Sequence, residues 1–149
     1  MSAVRAATAD DARAIAELLH AFNEEFDDPT PGPDVLTGRV AAMLARDDVV
    51  ALLAGEPPVG IALLFFRPSV WDEGGAVVVD ELYVAPDRRG KGLGTELIER
   101  AFAVARERGA EWLELDTGES DAGARRFYER HGLSNVDGGD RLLYYFRRL

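Results

Sequence analysis

The chain has 149 residues, of which 47% are hydrophobic and 30% charged, with a net charge of −10 and no cysteine. That is enough chain for a single domain, predicted here over residues 1–149, to bury roughly two-thirds of its unfolded surface without disulfide or structural-metal staples. The lack of cysteine excludes a disulfide framework, a thiolate metal site and a thiol nucleophile, and the acidic balance has the wrong sign for a surface that gathers nucleic-acid phosphates.

The first residues, Met1 to Arg5, carry no apolar core of a leader peptide. The longest apolar stretch, Val59 to Phe66, is broken by Gly60 and closed by Arg67, far short of the roughly 20 residues of a membrane span. A soluble, cytoplasmic protein is expected. Val4 to Ala6 reads as a short strand, after which Thr8 and Asp11 form a capping box. Ile15, Leu18, Leu19, Phe22 and Phe26 then recur at helical spacing. The turn-rich segment Asp27 to Pro33 precedes a second helix, Asp34 to Arg46, with Val35, Leu36, Val40, Met43 and Leu44 facing inward.

Val49 to Ala54 and Val59 to Phe66 flank Gly55-Glu56-Pro57-Pro58 as a hairpin. Arg67 to Gly75 is a loop. Ala76 to Ala85 is apolar enough to predict a strand buried on both faces, interrupted only by Asp80 and Glu81. A glycine-rich turn leads into a long helix with Leu97, Ile98, Ala101, Phe102 and Ala105 inward, ending at Gly109. Trp112 to Asp116 is a strand, Ser120 or Asp121 caps a helix that stops at Gly132, and Leu142 to Phe146 is a last strand. The order predicts an α/β (α+β) fold: a mixed sheet with helices on both faces, since a strand–helix–strand crossover forces local parallel pairing.

The chemistry concentrates in Arg88-Arg89-Gly90-Lys91-Gly92-Leu93-Gly94-Thr95. Glycines let a backbone take positive φ and approach a ligand, and the amides of a first helical turn point outward with the positive end of the dipole. With Arg88, Arg89 and Lys91 beside it, in an acidic chain, the turn reads as a cradle for a di- or polyphosphate. Lys91 is followed by Gly92, so the nucleoside-triphosphate pattern Gly-Lys-Ser/Thr is absent. The glycine spacing also departs from the dinucleotide fingerprint and lies past the middle of the chain, although Asp116 stands at a suitable distance for a ribose carboxylate. The alternative is a tight turn and nothing more.

Leu82 to Gly94 resembles the acetyl-coenzyme A signature of the GCN5-related N-acetyltransferase superfamily, Arg/Gln-x-x-Gly-x-Gly/Ala, at Arg89 to Gly94. A second family block, Ala-x-x-Phe-Tyr-x-x-x-Gly, is present from Ala124 to Gly132. The likeness is strong from Ala76 to Leu133. It implies a mostly antiparallel central sheet with helices on both faces and a splayed parallel strand pair. It further implies that acetyl-CoA is co-substrate, with its pyrophosphate held by the turn of Arg88, Arg89, Gly90, Lys91, Gly92, Leu93 and Gly94, and Thr95 adding a hydroxyl. The pantetheine arm would lie along Leu82, Tyr83 and Val84. The Leu82 amide would donate to the thioester oxygen, and Tyr128 would protonate the departing thiolate, a leaving group of similar basicity to a phenol. Family members often have Asn where Asp121 stands; Asp121 retains the capping role.

Asp80 and Glu81 are the candidate general bases. Strand alternation sends them to opposite faces, and Asp80 shares a face with Leu82. Base variants placed two residues earlier are excluded by Val78. By family analogy the acceptor is met by the first helix pair and the Arg67 to Gly75 loop, where Glu24, Glu25, Asp27 and Asp28, with Trp71 and Asp72, suit a small cationic amine; the plain alternative is a solvated helix end. His20 and His131 read as structural, and no metal-ligand spacing occurs.

The function expected is acetyl transfer from acetyl-CoA to a primary amine in a ternary complex. The alternatives are a non-catalytic acyl-CoA sensor and a peptide amino-group acetyltransferase. Tyr144, Tyr145 and Phe146 suit a core or a homodimer interface.

Overall fold

The computed structural model describes residues 3–149. The chain divides into two compact units that meet between Leu113 and Glu114 in sequence. In the first unit β1 (Val4–Ala6) leads through a 3-10 turn (Ala9–Asp11) to α1 (Ala12–Glu25) and α2 (Pro33–Leu44). Next come β2 (Val49–Ala54), β3 (Gly60–Arg67) and β4 (Ala76–Val84), then a second 3-10 turn (Pro86–Arg88), α3 (Leu93–Glu107) and β5 (Trp112–Glu114). The strands form one sheet in the order β1-β2-β3-β4-β5, antiparallel except for the β4–β5 pair. The Asp11 carboxylate accepts the Thr8 amide at 2.8 Å, closing the reach-back half of the predicted capping box.

Side-chain alternation divides the sheet into two apolar faces. Ala51, Leu53, Ile61, Leu63 and Tyr83 pack with Ala12 and Ile15 of α1 and Val40 of α2. The opposite face receives α3: a Cβ on Gly60 would lie 3.2 Å from Leu97 and 3.3 Å from Val84. Leu97, Ile98 and Ala101 are fully buried there. Helices on both faces are therefore present as the element order predicts. Phe26 and Val35 are exceptions to the predicted inward stripes, being 48% and 46% exposed. Phe26 stands just past the last residue of α1 and Val35 in the first turn of α2, each at a helix end.

The prediction that β4 is buried along its length holds for half of it. Ala76, Val77 and Val79 are buried, but Asp80 is exposed and Glu81 and Leu82 half-buried. The register shows why. Leu64 pairs with Val79 and Leu63 with Glu81, so Asp80 is the extra residue of a β-bulge. Val79 and Glu81 thereby face opposite sides although they are two apart, and the strict alternation predicted at Asp80 does not hold.

In the second unit α4 (Ala122–Arg130) is followed by a hairpin of β6 (Val136–Asp137) and β7 (Asp140–Arg141). The predicted last strand, Leu142 to Phe146, forms no strand: the last one ends at Arg141. The Tyr144 and Phe146 rings stack at 6.2 Å. The predicted strand from Trp112 likewise ends at Glu114 rather than Asp116.

Candidate functional site

Beyond the bulge, β4 presents an edge. The Glu111 amide donates to the Gly75 carbonyl at 2.9 Å, so β5 begins level with the start of β4. Its three residues run beside the first half of the nine-residue β4, and Leu82 to Val84 lie past the level of Glu114. The Ala85 amide donates to Val59 on the β3 side. Backbone groups alternate along a strand, so those of Leu82 and Val84 are directed the other way, the Val84 carbonyl toward Arg89 and the Leu82 groups and the Val84 amide off this stretch. Glu81 shares the face of Tyr83 and Leu63, the face covered by α1 and α2.

The strand runs directly into the glycine turn. Gly90 and Gly92 have φ of +74° and +84°, and a Cβ built on either meets no protein atom within 4 Å. These glycines are there for backbone conformation and for the open space in front of them. Gly92 caps α3, whose first intrahelical bond runs from the Glu96 amide to the Gly92 carbonyl at 3.0 Å. Leu93, Gly94 and Thr95 therefore form the turn whose amides precede the helical ladder, at the positive end of the dipole. Arg88 and Lys91 are exposed; Arg88 lies 3.7 Å from the Asp87 carboxylate and Lys91 donates to the Asp87 carbonyl at 3.5 Å. Both contacts are long enough to leave these cations able to turn toward an anion.

Arg89 is placed differently from its two basic neighbours. Its Nε donates to the Val84 carbonyl at 2.9 Å, and its two terminal nitrogens donate to the two oxygens of Glu25 at 2.8 Å each. Tyr83 donates its hydroxyl to the same carboxylate at 3.3 Å, beneath the Arg89 guanidinium and stacked on Phe22 at 4.8 Å. The Arg89 hydrogen bonds hold Glu25 below the usual carboxylate range, while burial and the Glu25 charge push the Tyr83 phenol up. Glu25 therefore stays an acceptor and Tyr83 a donor. Sequence reasoning placed Glu25 with the acceptor and Arg89 with the pyrophosphate, and did not foresee that they meet.

The other acidic residues of this run end a helix. Asp27 takes φ +54° at the position after the α1 cap, and the Asp27 and Asp28 amides bond back to Glu24 and Asn23. This is a Schellman ending made without glycine. Glu24 approaches His20 at 3.4 Å, and His20 also bonds Thr30 at 3.0 Å, the structural use predicted for this histidine. Asp72 closes a turn to Gly75, and Trp71 beside it is 88% exposed. In the second unit, Asp121 caps α4 by accepting the Ala124 amide at 3.0 Å. Tyr128 is half-buried on α4, with its ring 5.6 Å from that of Phe127.

The acetyltransferase (GNAT) family model matches residues 13–133, the span holding the β4 edge, the glycine turn and Tyr128. The chain belongs to that family. As a GNAT protein it is an N-acetyltransferase by class, and its sheet has the mixed, mostly antiparallel form of solved relatives. A crystal structure of a protein from Arthrobacter sp. FB24, described as an acetyltransferase, is 47% identical and superposes with a TM-score of 0.93 over 100% of this chain and 97% of that one. YhfO of Bacillus subtilis, an uncharacterised N-acetyltransferase, is 30% identical over 91% of each chain. The thialysine N-epsilon-acetyltransferase of Bos taurus is 30% identical over 55% of this chain and 50% of its own length. Other curated relatives are matched over as little as 26% of their length.

Proposed function

We propose that this GNAT protein moves the acetyl group of acetyl-CoA to a primary amine by direct attack, with donor and acceptor bound together. The observation that carries the reading is continuity: the edge offered by Leu82 and the Val84 amide runs straight into the left-handed glycines that start α3. An extended arm bonded to that edge brings a pyrophosphate to the helix N-terminus, where Arg88 and Lys91 balance its charge and the space in front of Gly90 and Gly92 admits it.

Acetyl-CoA supplies an activated thioester, so the amine nitrogen bonds to the acetyl carbon as the carbon–sulfur bond breaks. The Leu82 amide is aimed to donate to the carbonyl oxygen as negative charge grows there. Asp80, exposed at the bulge, takes the proton the amine loses, with Glu81 as the second carboxylate. Tyr128 gives its hydroxyl proton to the departing sulfur. Thr95 adds a hydroxyl to the pyrophosphate site, while the Asp121 side chain serves its helix cap.

The acceptor in this reading is a small cationic amine, drawn by Glu24, Asp27, Asp28 and Asp72. The name of the bovine relative, which acts on an amino-acid side-chain amine, supports that class. A peptide amino group is the second reading, favoured by Val70 and Trp71, which stand 90% and 88% exposed as an apolar pair. We also propose a homodimer: Leu142, Leu143, Tyr144, Tyr145, Phe146 and Leu149 are 58–115% exposed, an apolar tail that a second copy would cover.

Thiol release from acetyl-CoA, measured against polyamines, aminoglycosides, amino acids and lysine peptides, tests the reading alongside calorimetry with CoA. Turnover with one class names the acceptor. Binding without turnover favours the sensor alternative, and no CoA binding overturns the reading of the turn.

A further inference from the structure

We infer that Glu25 is a positioning residue for the cofactor turn, acting through Arg89, rather than a carboxylate that meets the acceptor amine. The inference rests on the reading of residues 86–94 as the CoA pyrophosphate site.

Arg89 opens the glycine turn, yet its fork points back into the protein. One nitrogen is fixed on the Val84 carbonyl at the end of β4, and two grip both Glu25 oxygens in the bidentate geometry that gives an arginine–carboxylate pair direction as well as strength. Tyr83 lies under both groups and is itself locked by stacking on Phe22. The Glu25 side chain is 26% exposed and that of Arg89 44%, so it is the three-bond geometry and not burial that sets this pair apart from an open surface ion pair. A carboxylate at the last residue of α1 also sits at the negative end of the helix dipole, among Glu24, Asp27 and Asp28, where a cation is favoured; Arg89 supplies it from 64 positions away. The result is a bridge from the end of α1 to the residue on which the turn pivots. It leaves Arg88 and Lys91, with the turn amides, to face the pyrophosphate.

Charge and positioning predict opposite signs. Removing a carboxylate near a polyanion site should strengthen binding if Glu25 acts only through its field, and should weaken it if Glu25 holds the turn. We expect Glu25→Gln to weaken CoA binding, read by calorimetry, by about tenfold, and to raise KM for acetyl-CoA with little change in kcat. Arg89→Lys, which keeps the charge and loses the fork, should weaken binding to the same degree. The double variant Glu25→Gln/Arg89→Lys should be no weaker than either single one, because both remove the same bridge. Tyr83→Phe, which removes only one hydroxyl, gives a milder loss and keeps the test available if Glu25→Gln folds poorly. Wild-type protein that binds CoA, with Glu25→Gln and Tyr83→Phe binding it as tightly or more tightly, overturns this inference alone. Wild-type protein that does not bind CoA overturns the reading of the turn and this inference with it.

Discussion

The carbonyl oxygen of Gly109 occupies the place where a Cβ on residue 74 would stand. Gly74 therefore lets the turn after α3 close directly on the loop before β4. The Glu111–Gly75 hydrogen bond follows at once and sets β5 level with the start of β4. Its position there fixes which part of β4 the three residues of β5 run beside.

Gly74→Ala should accordingly be among the more damaging single-methyl changes in the chain. The added carbon meets backbone, which cannot rotate away, and overpacking of this kind costs about 1–3 kcal/mol or more. At about 2–4 °C per kcal/mol for a chain of this size, calorimetry should record a melting point lower by roughly 5–10 °C. A variant that melts like the parent would contradict the closeness of this contact.

Gly92→Ala separates stability from binding. Its φ of +84° is costly for a residue with a Cβ, by roughly 1–2 kcal/mol. The Cβ touches no protein atom but enters the space assigned to the pyrophosphate. Chemical unfolding should show the modest loss, and calorimetry should show CoA affinity falling by at least about tenfold, a further 1.4 kcal/mol.

Tyr128→Phe removes one oxygen and should lower kcat by roughly 100-fold while leaving CoA affinity unchanged, as general-acid catalysis requires. Asp80→Asn should lower kcat by a comparable factor and raise it again as the amine is deprotonated at higher pH. Steady-state kinetics across a pH series checks both, and unchanged kcat in Tyr128→Phe would remove that residue from the mechanism.

The acid limb of stability should report Asp11. Hydrogen bonds from Arg5 and from the Thr8 amide hold its carboxyl well below the ordinary value of 3.8. A carboxylate lowered in the folded state stabilises the protein above its unfolded value, and the contribution fades as pH falls through that value toward the folded one. Urea titrations from pH 7 to about 2.5 should show Asp11→Asn less stable than wild type at pH 7, with the difference shrinking from about pH 4 downward. Glu25, lowered chiefly by Arg89, acts with the same sign from its ordinary value of 4.5.

Removing residues 142–149 should convert the proposed dimer into a monomer in light scattering and leave the helical circular-dichroism signal intact. A wild-type chain that is monomeric at tens of micromolar would dismiss the proposal.

Local chemistry made much of this protein legible in its sequence. Thr8 with Asp11, Gly109, Gly132 and Asp121 mark helix ends because capping involves residues only a few positions apart. That both faces of the sheet are covered follows from strands that are apolar at nearly every position. The glycine turn was legible because positive φ beside a helix start narrows the choice of residue, and the second block at Ala124 to Gly132 supplied the family likeness. Tertiary structure decided the rest. The Asp80 bulge depends on how β3 registers against β4, and no pattern within β4 reveals it. The placing of β5 beside β4 depends on a contact between Gly74 and Gly109, and the tail from Leu142 has strand chemistry with no ladder because pairing is a property of neighbours. Arg89 and Glu25 are each one charge among many in the sequence. Only folding brings α1, β4 and the turn together so that one guanidinium reaches a carbonyl and a carboxylate at once, because a hydrogen-bonded fork is fixed by three-dimensional geometry and not by sequence spacing.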